Sequence, residues 1–290
     1  MMPVAKSRVR GNRLDNELVE RGLVDTRNRA QRLIMAGLVR VNGTPVIKAA
    51  HVVSPDQQIT VEGETCPYVS RGGLKLVNAI RSFQIDVRDQ EFMDAGASTG
   101  GFTDCLLQEG ATAVWAVDVG YGQLAWKLRQ DPRVKVFERT NVRSADLESL
   151  GRDRAFDGLV ADLSFIGLSK VLVSLVPLIR VGGKMILLVK PQFEAGREKV
   201  EKGGVVKDPR AVVQCAREVW TEASRLGIRV TGVMPSNVET PHGNVELLLF
   251  GVREAKPVAD KSEMSVDETK VLFDQISGEK SRRESRKGAS

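Results

Sequence analysis

The sequence predicts an α/β fold: a doubly wound, seven-stranded sheet preceded by a small α+β domain. From about Tyr68 to Glu254, short apolar runs alternate with helical patterns, which is typical of βαβ units and a mostly parallel sheet. Residues 1–62 instead combine two helical patterns with a hairpin signal. The length of 290 residues favours roughly two domains. We therefore expect a front domain over 1–62, a linker over 63–67 and a larger domain over 68–254.

The front domain is predicted to contain two helices followed by short strands. The helices are expected at Leu14–Arg21 and, from an N-cap at Asp25 or Thr26, through to Gly37. Asn42-Gly43 lies between two short apolar runs and is a strong hairpin signal. We predict strands at Leu38–Val41, Thr44–Ile47 and Gln58–Val61.

Positive charge is concentrated in this domain, because residues 1–60 hold ten lysines and arginines against five acids, while the whole chain carries a net charge of +6. Arginines beside the hairpin favour a phosphate-facing surface, since guanidinium groups bind phosphate bidentately. The string RLDNELVERGLVDTRNRAQRLIMAGLVRVNGTPV, Arg13 to Val46, resembles the small RNA-binding domain first described in ribosomal protein S-four. This resemblance implies RNA contacts by Arg13, Arg27, Arg29 and Arg32.

The larger domain is predicted to alternate strands and helices and to close with an antiparallel hairpin. Its strands are expected at Glu91–Ala95, Thr112–Asp118, Val134–Phe137, Asp157–Ala161, Lys184–Lys190, Arg229–Met234 and Val245–Gly251. Its helices are expected at Gly101–Glu109, Gln123–Arg129, Leu168–Ile179 and Asp208–Leu226. The aromatic residues Trp115, Trp126 and Trp220 are most simply core. We expect residues 255–290 to form a disordered tail, apart from a short helix at Asp267–Ile276.

A glycine-rich turn follows the first strand of this sheet, in the string FMDAGASTGGF. Glycines let the backbone turn tightly against a nucleotide-type ligand at the switch point of the sheet. The spacing resembles that of S-adenosylmethionine-dependent methyltransferases, and Asp118 ends the next strand, where a carboxylate accepts ribose hydroxyls. The resemblance implies cofactor contacts by Asp94, Gly96, Ala97, Ser98, Gly100, Gly101, Phe102, Asp118, Asn141 and Asp162.

Two charged residues close later strands: Asp162 in FDGLVADLSF and Lys190 in KMILLVKPQFE. A charge beside an apolar strand is costly unless it is paired or functional. With Lys75 and Glu246 they form a set that resembles the ribose 2′-O-methyltransferases of the FtsJ type, which share a Rossmann-like domain. From Arg13 to Glu254 the chain looks like the TlyA family of 16S/23S ribosomal RNA cytidine 2′-O-methyltransferases, which also carry a hemolysin label. The tail after Glu254 departs from the family pattern.

The expected chemistry is removal of a ribose hydroxyl proton during in-line methyl transfer. Lys190 is the preferred general base, although Lys75 stays open as the alternative, and Asp162 and Glu246 would orient the two lysines. Outside this set, we expect Ser70 and Arg71 to contact RNA. Phe193 has two equal interpretations: it stacks on an extruded base, or it is a packing residue.

Composition excludes several other classes of protein. The sequence has no apolar window long enough for a membrane helix and no signal peptide, so we expect a cytoplasmic protein with ribosomal RNA or ribosomal subunits as partner. Three separated cysteines and two histidines disfavour both a disulfide scaffold and a metal site. The alternatives are a non-catalytic RNA-binding ribosome assembly factor and a hemolysin-like activity.

Overall fold

A computed structural model of the chain divides it into two compact units, residues 1–65 and 66–290. The structure describes residues 11–24, 26–35, 37–61, 66–240, 243–258 and 263–288, with the backbone alone for residues 197 and 279–288. The proposed cap at Asp25 and most of the expected linker therefore lie outside the described residues.

The front unit contains the predicted helix pair and hairpin. Its elements are β1 (Asn12–Arg13), α1 (Leu14–Glu20), α2 (Arg27–Met35), β2 (Val39–Val41), β3 (Thr44–Pro45), β4 (Val52–Val53) and β5 (Ile59–Val61). Strands β3, β2 and β5 form one antiparallel sheet, and β1 pairs with β4. Asn42 and Gly43 take φ values of +49° and +80°, the left-handed backbone that a tight hairpin turn requires. Leu14, Leu18 and Ile34 are fully buried and form the core.

The second unit is built on the seven-stranded sheet that the sequence predicts. Its strands are β6 (Glu91–Ala95), β7 (Ala113–Val117), β8 (Val134–Phe137), β9 (Phe156–Ala161), β10 (Ile179–Val189), β11 (Ile228–Pro235) and β12 (Leu247–Arg253). They lie side by side in the order β11-β12-β10-β9-β6-β7-β8. Strands β6 to β10 pair in parallel, whereas β12 is antiparallel to both β10 and β11, which confirms the final hairpin.

Helices cover both faces of this sheet, as expected for parallel strands that are apolar on both sides. They are α3 (Gly72–Ser82), α4 (Gly101–Gln108), α5 (Trp126–Arg129), α6 (Leu172–Leu175), α7 (Pro191–Glu194), α8 (Pro209–Arg225) and α9 (Val266–Gly288). Helices α3 and α4 bury their apolar residues in a core on one face, and α6, α8 and α9 do so on the other. In sheets of this kind, ligand sites lie at the carboxyl edge of the parallel strands.

Several features differ from the sequence predictions, among them helix α3, which was not predicted. The single helix expected at Leu168–Ile179 is divided into Leu168–Lys170, α6 and Val176–Leu178, and Pro177 in the last turn leaves no amide to continue an α-helix. Trp126 is 74% exposed, so its placement in the core is wrong. The tail expected to be disordered is helical over Val266–Gly288, because Leu272 and Ile276 bury one face of α9 on the core.

Candidate active site

Strand register brings three of the sequence-predicted site residues, Asp162, Lys190 and Glu246, to one edge of the sheet. Ala95 pairs with Ala161, and Ala161 pairs with Leu187, so β6, β9 and β10 end at nearly the same level. Val189 is opposite Leu247 in the antiparallel pair. Lys190 directly follows β10 and Glu246 directly precedes β12, so the register places these two residues beside each other at the edge.

Lys75 and Glu246 form one ion pair at this edge. The Lys75 Nζ atom donates to Glu246 Oε2 at 2.6 Å, and the two side chains are 14% and 6% exposed. Lys75 lies on α3 and is 171 residues from its partner in the chain. Helix α3 is further tied to the segment before β12, since Asn78 donates to the Ser236 carbonyl and Arg71 to the Glu239 carbonyl.

Lys190 and Asp162 form the second ion pair, with 2.6 Å between Lys190 Nζ and Asp162 Oδ1. The same ammonium donates to Ser164 Oγ at 2.9 Å. The Lys190 side chain is 11% exposed and that of Asp162 is 22% exposed, while Ser164 is exposed. The lysine is thus held at two points, and the pair is more open to solvent on the aspartate side.

The glycine-rich turn runs against both the Asp162 backbone and α3. Gly96 has a φ of +85°, and a Cβ atom there would lie 2.6 Å from the Asp162 carbonyl oxygen. A Cβ atom on Gly101 would lie 2.2 Å from Ser70 Oγ. Both positions therefore require glycine, one for its backbone conformation and close approach and the other for close approach alone.

Asp118, at the end of β7, fixes the turn from the other side. Its Oδ2 atom accepts from the Ser98 amide at 2.8 Å, and its Oδ1 accepts from the Gly120 amide at 2.6 Å. Ser98 has a φ of +48° and its hydroxyl donates to Gln123 Oε1. Each carboxylate oxygen has further acceptor capacity, so Asp118 is able to receive hydroxyl donors as well.

Asp94 is the most deeply buried carboxylate of this edge. Its side chain is 0% exposed, and Oδ2 accepts from Thr103 Oγ1 at 2.6 Å. Oδ1 accepts no hydrogen bond from any residue that the structure describes. Burial raises the pKa of Asp94 to about 7; the Thr103 hydrogen bond opposes this rise, and the charges of Asp162 and Asp118 add to it. Asp94 Oδ1 therefore keeps its capacity to accept a hydrogen bond, two residues before Gly96 of the turn.

The other residues expected to bind the cofactor lie in different surroundings. Gly100, with a φ of +92°, directly precedes α4. Ala97 and Phe102 are buried in the core under the turn, so their side chains act in packing. Asn141 is exposed in the segment after β8, and its Oδ1 accepts from the Arg143 amide at 3.0 Å.

The structure also shows two residues at this edge that the sequence analysis did not single out, Ser164 and Phe165. Phe165 is 92% exposed and has a φ of +68°, and its ring centroid lies 5.6 Å from that of Phe193. Glu194 joins the segments that carry these rings, and Ser164 contacts Lys190. The strings ADLSF and PQFE contain all four residues, but a positive φ at a phenylalanine has no sequence signature.

In the front unit, two of the arginines expected to bind RNA converge on one buried acid. Asp15 is 0% exposed and accepts from Arg13 Nε at 3.0 Å, Arg27 Nε at 2.9 Å and Gln31 Nε2 at 2.8 Å. The Arg13 side chain is 42% exposed and that of Arg27 is 53% exposed. The pairing lowers the pKa of Asp15 well below its usual range.

Arg27 and Arg32 are exposed on α2, and Arg29 is half-buried.

Comparison with known proteins identifies this arrangement. Residues 68–253 match the family model described as FtsJ-like methyltransferase. The chain belongs to the FtsJ-like methyltransferase family. Residues 12–59 of this FtsJ-like methyltransferase match the S4 domain, which confirms the resemblance seen in the front domain.

Similar proteins cover most of this FtsJ-like methyltransferase. It is 48% identical over 239 residues to the 16S/23S rRNA (cytidine-2′-O)-methyltransferase TlyA of Mycobacterium tuberculosis, covering 82% of this chain and 88% of that protein. It is 46% identical over 237 residues to the putative rRNA methyltransferase YqxC of Bacillus subtilis, covering 82% and 84%. A solved structure, described as a putative hemolysin from Streptococcus thermophilus, has a TM-score of 0.74 and 37% identity, with coverage of 96% and 99%.

Two further features bear on the classes considered for this FtsJ-like methyltransferase. Within the described part of the chain, no helix is both long and apolar enough to cross a membrane. Among the same residues, no group of three or more histidine, cysteine or carboxylate side chains is placed to hold a metal ion.

Proposed function

We propose that this protein transfers a methyl group from S-adenosylmethionine to the ribose 2′-oxygen of a cytidine in 16S or 23S ribosomal RNA. The observation that carries the proposal is the juxtaposition of the Lys190–Asp162 pair with the glycine-rich turn, through the Asp162 backbone at Gly96. The names of the relatives from Mycobacterium tuberculosis and Bacillus subtilis support an RNA substrate, and the first supports cytidine and the 2′-oxygen.

The residues of the turn fit the cofactor. The vacant Asp94 Oδ1 is an acceptor suited to an ammonium group, and Asp118 has acceptor capacity left for two ribose hydroxyls. Glycine at position 96 lets the turn pack directly on the Asp162 backbone, because a Cβ atom there would lie 2.6 Å from the Asp162 carbonyl oxygen. When bound, S-adenosylmethionine supplies an electrophilic methyl group on a sulfonium centre.

Lys190 is proposed to take up the proton of the 2′-hydroxyl as the ribose oxygen bonds to the methyl carbon and the carbon–sulfur bond breaks. Only the neutral amine accepts a proton, and the Asp162 carboxylate, 2.6 Å from Lys190 Nζ, holds the amine in place. Lys75 is the alternative base, but its partner Glu246 is 6% exposed against 22% for Asp162. The more open pair at Lys190 favours that lysine, with Lys75 stabilising charge on the oxygen.

RNA recognition is proposed to use both units. The exposed ring of Phe165 beside Phe193 is a surface on which an unstacked base can lie, with Ser70 and Arg71 contacting phosphate. In the front unit, Arg13, Arg27, Arg29 and Arg32 are proposed to bind phosphates, with Asp15 fixing the first two.

The experiment that tests this function is transfer from methyl-labelled S-adenosylmethionine to purified 30S and 50S subunits in parallel. Wild type should label at least one subunit on a cytidine 2′-oxygen, mapped by primer extension and mass spectrometry. Lys190→Ala should reduce the rate by about 10³-fold, within the range for loss of a general base, while cofactor affinity stays within twofold.

The matched control is Lys270→Ala, which removes an exposed lysine of α9. Its transfer rate should equal that of wild type. Retained activity in Lys190→Ala together with loss in Lys75→Ala would assign the base to Lys75. Absence of label on both subunits, with the cofactor bound, would refute the proposed substrate.

A further inference from the structure

Glu194, the last residue of α7, connects two segments that meet at Lys190. Its Oε1 atom accepts from the Leu168 amide in a short hydrogen bond, and its Oε2 accepts from Ser169 Oγ at 3.0 Å. Both donors lie 25 or 26 residues earlier in the chain, in the helical turn Leu168–Lys170. One carboxylate thus crosslinks the segment after β9 to the segment after β10.

The segment after β9 contains the groups that hold Lys190. Asp162 and Ser164 contact the lysine Nζ at 2.6 and 2.9 Å, and Phe165 follows with a φ of +68°. A phenylalanine with left-handed backbone is strained, so other contacts must hold this backbone in place. The bonds to Glu194 begin three residues further on and provide that restraint.

Close packing leaves the crosslink little freedom. A Cβ atom on Gly167 would lie 2.8 Å from Glu194 Oε2 and 3.0 Å from the Phe193 carbonyl oxygen. The carboxylate is half-buried, and burial raises the pKa of Glu194, while the bonds from Leu168 and Ser169 oppose the rise. Within the described part of the chain, the Glu194 carboxylate forms no ion pair or hydrogen bond with Lys75 or Lys190. Because a carboxylate is costly to bury, we expect its effect to pass through the segment that it binds.

We propose that Glu194 is a positioning residue for Lys190: it fixes the 164–170 segment so that Ser164 and Asp162 hold the lysine amine in line with the ribose hydroxyl. This inference rests on the proposed function. It predicts that Glu194 contributes to the rate of transfer and contributes little to the affinity for S-adenosylmethionine, because Glu194 is not among the residues predicted to contact the cofactor.

The test compares Glu194→Gln and Glu194→Ala in the full chain. Glutamine keeps one acceptor oxygen, so we expect kcat to fall about tenfold, the effect of one lost hydrogen bond. Alanine removes both acceptors, and we expect a fall of about a hundredfold, as for a misplacement of about 1 Å. The Kd for S-adenosylmethionine, measured by calorimetry, should change less than twofold in both. Glu198→Gln, an exposed glutamate four residues further along, is the matched control and should retain wild-type kcat.

A double-mutant cycle with Ser164→Ala distinguishes positioning from general destabilisation. If Glu194 acts through the contact of Ser164 with Lys190, its replacement in the Ser164→Ala background should lower kcat by less than threefold. Additive losses, or wild-type kcat in Glu194→Ala, would overturn the proposal. Ser169→Ala, which removes one hydroxyl, covers the case in which Glu194→Ala fails to fold, and its kcat should fall about threefold, as for a weak hydrogen bond.

Hydrogen exchange gives a result that does not depend on catalysis. Amides of residues 164–170 should exchange at least tenfold faster in Glu194→Ala than in wild type, while the core strands β9 and β10 stay protected. Unchanged exchange would overturn the positioning role even if no ribosomal subunit were methylated. An inactive wild type with faster exchange in Glu194→Ala would refute the proposed function and leave the crosslink supported.

Discussion

Replacement of Asp94 by asparagine should stabilise the protein at neutral pH while weakening the cofactor site. The Asp94 side chain is fully buried, and burial raises its pKa to about 7 from an ordinary value of 3.8. At pH values below the pKa of Asp94 in the unfolded state, the carboxyl is protonated in both the folded and the unfolded protein. It then does not lower the free energy of unfolding. As the pH rises from about 4 to about 7, the unfolded state releases the proton first, so the stability of the folded state falls.

The size of the effect follows from the difference between the pKa of Asp94 in the folded protein and its ordinary value. A shift of one pKa unit corresponds to ~1.36 kcal/mol, so ionising Asp94 in the folded state costs at most on the order of 4 kcal/mol. Between pH 5 and pH 8, the difference in unfolding free energy between Asp94→Asn and wild type should increase by about 2–3 kcal/mol, with the variant the more stable protein. The asparagine carbonyl still accepts from Thr103, so that hydrogen bond is kept.

Urea unfolding at pH 5, 6, 7 and 8 measures this gap. Tryptophan fluorescence reports on the second unit because Trp115, Trp126 and Trp220 all lie in it. The contributions of other titrating groups to the unfolding free energy are the same in both proteins, so they cancel when wild type is compared with Asp94→Asn. A gap that is constant across these pH values would refute the reasoning, because it would mean that Asp94 titrates alike in the folded and unfolded states.

Cofactor binding supplies the second readout. An ionised Asp94 offers Oδ1 to an ammonium group, so the affinity of wild type for S-adenosylmethionine should rise as the pH passes through about 7. In Asp94→Asn the affinity should be lower and independent of pH in this range. Calorimetry at the same four pH values tests this. Equal affinity of the two proteins at pH 8 would show that the buried oxygen does not bind the cofactor.

Four other predictions concern single side chains. Gly96→Ala should weaken S-adenosylmethionine binding by more than tenfold in calorimetry, because its Cβ would lie 2.6 Å from the Asp162 carbonyl oxygen at a φ of +85°. Arg152→Leu should lower the unfolding free energy in urea by about 3 kcal/mol, since its 4% exposed side chain pairs with a glutamate and stacks on two aromatic rings. Asp15→Asn should destabilise the front unit by about 2 kcal/mol, measured by hydrogen exchange over residues 12–61, and should weaken RNA binding in a salt titration. Phe165→Ala should leave the melting temperature unchanged and lower transfer about tenfold, as expected for loss of one stacking contact by a 92% exposed ring.

The sheet was predictable from the sequence because parallel strands covered on both faces are continuous apolar runs. All seven predicted strands are present, and the errors are confined to their ends. β10 begins five residues earlier than expected, at Ile179, because the sequence VGG does not have the apolar pattern of a strand. The glycine-rich turn was equally predictable, since the positive φ values at Gly96 and Gly100 leave a signature in residue type.

The contacts within the site were not predictable in the same way. The sequence indicated that Asp162 and Glu246 orient two lysines, but the pairing of each with its lysine depends on the register of β10 against β12 and on the position of α3. Trp126 was placed in the core on residue type alone. It begins a helix of four residues, which is too short to give the periodicity that separates a buried face from an exposed one.

Asp162 connects the two halves of the proposed chemistry. Its carbonyl oxygen lies against Gly96 in the glycine-rich turn, and its carboxylate contacts the Lys190 amine at 2.6 Å. Methyl transfer in line requires the oxygen, carbon and sulfur to be aligned within about 0.5 Å, which a site built on separate mobile loops does not achieve. Asp162, at the end of β9, thus contacts both the turn that follows β6 and the lysine that follows β10. Because β9 pairs in parallel with both of these strands, the sheet fixes the separation between the proposed base and the glycine-rich turn.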